Sequence, residues 1–563
     1  MAMDTHPDGH ADTHLRELRG QGPNREKVAR LDDTPGDTLG PMSATHPSTP
    51  GETPAPTPDA EAGSSRIDLT KLLVSGKGHR LGHTPSATVG AVRTTNSVTS
   101  TPPGPIPLAD GLVVDGILAR LHRAGGVEEF TTQVRSARGC RRPVRLAGRV
   151  TAIGPTGLPE VRFDTSSLPD GVLLKACGSR RETVCPPCAS LYRGDAFALV
   201  ASGLRGGKGV PESIGDHPAV LLTLTAPSFG PVHRRRPDGT CHPTGTRCRH
   251  GRALVCGLRH AGSDRAVGQA LCPDCYDYEG AVLFNAGVSE LWRRTTIYAL
   301  RALGSLLGLS SRQACRLLRL SYVKVAEFQK RGSVHLHALV RADLRHDEHG
   351  PAPADIDPTV LASALRIAAV KVSTPVPGST TGARHVWGTQ LDTTIVADAE
   401  NGRARAAAYL AKYATKGTDE FGVLDHRLPA GICWDTRLPE HLRSLVVTAW
   451  ELGGTGDLAE VGLQRWSHTC GFRGHFLTKS RRWSTTFGEL RAERQRWRLA
   501  QRPDDQQAGL EESVVTAEWT FEGSGYMTVG DVCLARTVED QLRLGRFVAR
   551  EGSRLADGND VGS

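Results

Sequence analysis

The stretch that decides the fold reads YVKVAEFQKRGSVHLHALVR, residues 322–341. Two runs rich in β-branched and apolar residues, Tyr322 to Phe328 and Val334 to Arg341, flank the turn-forming Arg331-Gly332-Ser333. That spacing predicts a β-hairpin. In an extended strand alternate residues share a face, so His335 and His337 point the same way and can grip one cation. Glu327, eight residues before His335, lies on the partner strand, and its carboxylate can reach the same face across the short turn. Two imidazoles and one carboxylate with open positions suit Mn²⁺ or Mg²⁺ polarising a phosphate better than they suit a closed structural zinc. His-x-His alone is weak, because a chain with 21 histidines contains about one such spacing by chance.

Downstream, Ala404 to Thr415 reads as a helix, with Gly417 where it would stop. It carries Tyr409-Leu-Ala-Lys412-Tyr413-Ala-Thr-Lys416, in which the tyrosines are four apart and so project from one face, and the lysines repeat the step. A phenol with pKa near 10 is a poor nucleophile unless its developing charge is offset, and nearby lysines supply that. An amphipathic helix with two half-buried tyrosines is the plainer reading of this motif taken alone. Upstream, Ala219 to Ala226 (AVLLTLTA) reads as a strand with Thr223 and Thr225 on one face.

Outward from these motifs, residues 1–107 are rich in Pro, Thr, Gly, Ser and Asp without lasting periodicity, and are expected to be disordered. The overall hydrophobic fraction, 38%, is low for a globular chain and agrees with an unstructured part. Helices are expected around Val114 to Arg123, over Gly280 to Leu309 and over Val360 to Val370. The expected organisation is a cysteine-containing region over 108–215, a catalytic core over 216–428 with a Cys-rich insertion at about 231–276, a basic aromatic region over 429–500, and a polar tail over 501–563. Gln464 to Arg498 holds nine Lys or Arg against two Glu, interleaved with Trp466, Phe472, Phe476, Trp483, Phe487 and Trp497. Cations among aromatic planes suit single-stranded DNA, and a basic helix face over a Trp-lined core explains them nearly as well. The net charge of +9, carried by 58 Arg and 11 Lys, permits a polyanionic partner.

Neither a signal peptide nor an apolar run long enough to span a bilayer is apparent, so a cytoplasmic protein is expected. Thirteen cysteines there are read as thiols or metal ligands. Cys185-Pro-Pro-Cys188 and Cys272-Pro-Asp-Cys275 are CxxC knuckles. Cys177 and Cys140 complete a first structural zinc site, and Cys248 and Cys256, again eight apart, complete a second, with Cys241, His250 and His260 in reserve.

Taken together, LLTLT (221–225), HLH (335–337) and YLAK followed by YATK (409–416) resemble, in kind and in order, the three motifs of rolling-circle replication initiators. These are the tyrosine nickases named for two histidines around a hydrophobic residue. TLTAPSFGPVH (223–233), CPDCYDYEGAV (272–282), EFQKRGSVHLHAL (327–339) and AAYLAKYATKG (407–417) resemble a narrower group, the RepSA-type initiators of actinobacterial plasmids and integrative elements. The resemblance extends from about Cys140 to Trp497. The long insertion between the first two motifs departs from minimal nickases.

The resemblance implies an α+β fold, an antiparallel sheet of the ferredoxin- or RRM-like kind with flanking helices. It implies that Glu327, His335 and His337 hold Mn²⁺ or Mg²⁺ against a scissile phosphate. Tyr413 or Tyr409 then attacks, leaving a 5′-phosphotyrosyl link and a 3′-OH primer, assisted by Lys412 and Lys416. Origin DNA is the implied partner, with host helicase and polymerase, since the sequence contains no phosphate-binding Gly-x-x-x-x-Gly-Lys-Ser/Thr loop. A conjugative relaxase or tyrosine transposase would use related chemistry, and a zinc-containing DNA-binding protein without catalysis would need none of it.

Overall fold

The computed structural model describes residues 110–559 apart from 124, 154–157, 347–349, 351, 354–355, 397–399, 417–426, 429–437 and 501–513. The amino-terminal tail expected over 1–107 and the stop at Gly417 lie outside the described residues. The described chain falls into two compact units, 180–183 with 189–490, and 110–179 with 184–188 and 491–559. Both combine helices with antiparallel sheet, so the fold is α+β.

The larger unit is built on five strands: β1 (Ala219–Leu224), β2 (Leu318–Phe328), β3 (Val334–Leu344), β4 (Leu391–Ile395) and β5 (Leu477–Lys479). They run antiparallel in the order β4-β1-β3-β2-β5. The hairpin β2–β3 is longer than expected at its open end and keeps the expected turn. Gly332 there takes φ 77°, which costs a residue without Cβ little, and its N–H reaches Gln329 O at 2.8 Å.

Strand alternation divides the side chains between two cores. Leu222, Leu224, Ala326, Leu336 and Ala338 pack on one face against α2 (Tyr278–Leu306) and α3 (Pro358–Lys371), through Phe284, Leu291, Trp292, Leu361 and Leu365. Val323, Val325 and Leu339 pack on the opposite face against α1 (Pro186–Arg205) and α4 (Glu400–Lys416), through Leu199, Val200, Leu204, Ala407, Leu410 and Ala411. The helices expected at 280–309, 360–370 and 404–415 are thus α2, α3 and α4.

Two expectations are corrected. Within the expected region 429–500, Leu477–Lys479 hydrogen-bonds to β2 and closes the sheet edge, so this segment is part of the larger unit. Within Gln464 to Arg498 the aromatics mostly fill core: Trp483 and Phe472 are fully buried, and Phe476 and Phe487 pack against the two clusters. Trp497, by contrast, is 43% exposed. Burial of the ring faces leaves little of this stretch for base stacking.

The smaller unit centres on the strand Val144–Ile153, which pairs with Pro159–Asp164, Leu173–Lys175 and Val514–Ser524. Its helices are Asp110–Leu121, Gly126–Ser136 and Val529–Asn559. The polar segment 501–563, read from sequence as a tail, therefore supplies an eleven-residue strand and a 31-residue helix. Buried Arg120 bonds Asp531 at 2.8 Å and Asp170 at 2.7 Å, tying that helix down through ion pairs that apolar periodicity does not register.

Lys324 sits in β2 opposite Ala338, on the α2 side, only 5% exposed. Burial pushes its ammonium down to about 8. Below that pH the lysine is charged in folded and unfolded chains alike, and the cost of burying the charge is fully felt. Between about 8 and 10.5 the folded lysine gives up its proton first, so the cost fades as pH rises. Lys324→Met is expected to stabilise the chain by up to about 3 kcal/mol at pH 7. That gain, read from denaturant midpoints, should shrink steadily toward pH 10.5.

Candidate active site and metal centres

The β2–β3 register sets Glu327 opposite His335 and Val325 opposite His337, so both imidazoles and the carboxylate share the face covered by α4. The His335 and His337 rings lie 4.6 Å apart, and Glu327 Oε2 is 3.4 Å from His337 Nε2.

The threonines of β1 have a place that the sequence did not reveal. Thr223 pairs with His337 across the β1–β3 ladder, and its Oγ1 lies 3.2 Å from His337 Nδ1. Thr225 Oγ1 lies 3.0 Å from His335 Nδ1. With Nδ1–H donating to the hydroxyl oxygen, each ring keeps its Nε2 lone pair for a cation. Burial first, then the charges of His337 and Arg331, push His335 down to about 3, so its ring is neutral at physiological pH.

Two more residues brace the frame. Arg331 donates to Pro227 O at 2.7 Å and Ala226 O at 2.8 Å, holding the end of β1 beside the hairpin turn. Asn285, fully buried on α2, donates to Gly332 O at 2.9 Å and accepts from Val334 N at 2.9 Å. The only sequence signal for Asn285 is an amide inside an otherwise apolar helix face.

Helix α4 presses Leu410, Ala411 and Ala414 into the core and lays its tyrosines over the histidines. The Tyr413 ring lies 4.7 Å from that of His337, the Tyr409 ring 5.4 Å from it, and the two phenols 4.7 Å from each other. Burial, and then the neighbouring Tyr413 hydroxyl, push the Tyr409 phenol above its ordinary range. The Lys412 ammonium stands 5.9 Å from the Tyr413 ring centre. Lys416 is the last residue of α4, and its side chain lies outside the described residues.

The cysteines converge in three groups, each with four donor atoms within 4.8 Å of one another. Cys140, Cys177, Cys185 and Cys188 form the first, as the knuckle spacing suggested. Its Cys140–Cys185 and Cys177–Cys188 Sγ distances are both 3.7 Å, far beyond the roughly 2.05 Å of a disulfide. They match the edge of about 3.8 Å in a tetrahedron with Zn–S of about 2.3 Å. Backbone N–H groups of Arg141 and Cys177 point at Cys185 Sγ and Cys140 Sγ, at 3.4 and 3.3 Å. Such a donor set is able to hold a structural metal such as zinc.

The second expected site is corrected. Cys248, Cys272 and Cys275 do meet, but their fourth partner is His250, while Cys256 joins His233, Cys241 and His260. Glu327, His335 and His337 are not among these tight groups, so a shared cation there requires their side chains to turn inward. No helix among the described residues is long and apolar enough to cross a membrane.

No solved structure matches the chain. It is 39% identical over 456 residues to a replication initiator protein of Streptomyces ambofaciens, covering 78% of this chain and 95% of that one. The family described as RepSA, replication initiator protein of pSAM2, matches residues 126–540. With both cysteine knuckles, the β2–β3 hairpin and α4 inside that span, the chain belongs to the RepSA family of replication initiators.

Proposed function

We propose that this initiator nicks one strand of origin DNA through a tyrosine and later reseals it. The observation that supports this most directly is the meeting of two phenols with His337, at ring separations of 4.7 and 5.4 Å, on the one sheet face that also carries His335 and Glu327.

In this reading Tyr413 attacks first. It is the phenol nearer His337 and the one flanked by Lys412, and burial makes the Tyr409 phenol harder to ionise than an ordinary tyrosine. The Tyr413 oxygen bonds to the scissile phosphorus as its proton departs, and the bond from phosphorus to the 3′-oxygen breaks. A proton reaches that oxygen, giving a 5′-phosphotyrosyl link and a free 3′-OH. Attack by a 3′-OH on the phosphotyrosine reverses the exchange, so the strand is rejoined without external energy. Glu327, His335 and His337 would hold Mn²⁺ or Mg²⁺, which when bound draws charge from the phosphate oxygens. Thr223 and Thr225, accepting from the Nδ1–H groups, would leave each Nε2 lone pair free for it. Origin DNA is the partner, and the exposed 3′-OH needs a polymerase and a helicase from the host.

Incubation with an origin oligonucleotide and Mn²⁺, followed by peptide mass mapping, tests the reading. A nucleotide adduct on the peptide containing Tyr413 is expected, and cleavage with every tyrosine unmodified would end it.

The threonines make a separate prediction. Thr223→Val and Thr225→Val preserve shape and remove the hydroxyl partners of the histidines. Each is expected to weaken Mn²⁺ binding about 10- to 100-fold in a calorimetric titration, with the melting temperature little changed.

A further inference from the structure

Residues 233–269, the larger part of the insertion between β1 and the hairpin, contribute no side chain to any of the four apolar clusters of the described residues. Leu258 and Val255 are turned outward, 67% and 39% exposed. The short hairpin Thr240–His242 with Cys256–Arg259 cannot stand on its backbone bonds alone. Something other than apolar burial must hold this segment.

We infer that His233, Cys241, Cys256 and His260 bind a zinc ion of their own, interleaved with that of Cys248, His250, Cys272 and Cys275. Each of the four donors lies within 4.8 Å of the others. Cys256 Sγ to His260 Nε2 is 3.4 Å and Cys241 Sγ to His233 Nδ1 is 3.7 Å. With Zn–S of about 2.3 Å and Zn–N of about 2.0 Å, a tetrahedral S···N edge is about 3.5 Å. The His260 Nδ1 meets Asp264 Oδ2 at 2.6 Å, the carboxylate-histidine arrangement that orients a ligating ring and raises its basicity. The Arg234 N–H points at Cys241 Sγ from 3.3 Å, as a backbone donor does toward a thiolate. His242 Nδ1 is also close to Cys241, at 3.1 Å, but stands outside the group of four.

Along the chain the ligands alternate by pairs: 233 and 241, 248 and 250, 256 and 260, 272 and 275. First and third pairs share one centre, second and fourth the other. The loop between Cys241 and Cys256 therefore carries half of the second site, and neither site closes without ordering the other's ligands. The insertion is a cross-braced two-zinc module, and with the Cys140 group the described residues offer three zinc sites.

Native mass spectrometry of the full-length protein purified with Zn²⁺ tests this independently of nicking. Three zinc ions per chain are expected, falling to two or fewer in Cys241→Ser/Cys256→Ser. Two ions in the wild type, or three retained in the variant, would overturn the assignment. Should the variant fail to fold, alkylation of wild-type protein decides. Cys241 and Cys256 are expected to resist N-ethylmaleimide until a zinc chelator is added, and labelling indifferent to the chelator refutes the site.

Discussion

A chain carrying Tyr409→Phe and Tyr413→Phe is expected to bind origin DNA as before and to leave it uncut. Both phenols meet His337, Tyr409 edge-on and Tyr413 with a tilted ring. Removing their oxygens removes the nucleophile while the rings still fill the space beside Leu410 and Ala414. Strand cleavage, measured on a labelled oligonucleotide, should fall by at least about 10³-fold, and the SDS-resistant adduct should vanish. Tyr413→Phe alone is expected to slow the first cut and keep some adduct on Tyr409, since the two rings are only 4.7 Å apart. An adduct persisting in the double variant would disprove the assignment of the nucleophile.

The second large effect is expected at the sheet face proposed to hold the cation. His335→Ala and His337→Ala each remove one of two nitrogen donors, and cleavage should drop by about 10³-fold or more, as it should in wild type treated with chelator. The fold should survive, because the histidines leave apolar neighbours such as Leu336 and Ala338 in place on the other face. Unchanged cleavage by His337→Ala at saturating Mn²⁺ would remove the cation from the scheme. A chelator would also strip zinc bound by the cysteine groups, so the histidine variants, whose cysteines are intact, separate the two causes.

How much of this was legible in the sequence follows from how local each feature is. The facing of His335 and His337 depends on strand alternation, and the joint face of Tyr409 and Tyr413 on helical period, so both could be read within a few residues. Glu327 needed only the turn length. Thr223 and Thr225 were visible as a strand pattern, yet their hydrogen bonds to the histidines depend on a register set more than a hundred residues away. The Cys248–Cys256 spacing copied that of Cys177–Cys185 and invited the same pairing. Interleaved ligand pairs cannot be distinguished from sequential ones by spacing alone, and His233 gave no local sign of being a ligand. The final helix went unread because Asp531 and Glu539 anchor it through charge to Arg120 and Arg141, and the strand before it because its partner lies over 350 residues upstream.

The position of β1 beside β3 bears on how the protein is made. Leu224 aligns with Leu336, so residues 225–335 must emerge from the ribosome before the first threonine strand finds its neighbour. At about 5–20 residues per second this is a delay on the order of ten seconds. Throughout it β1 presents unpaired backbone edges in the crowded cell, and closing so long a loop is the entropically costly step. The nascent chain brings His335 and His337 beside their threonine partners only after that interval, so the site frame is completed late in synthesis.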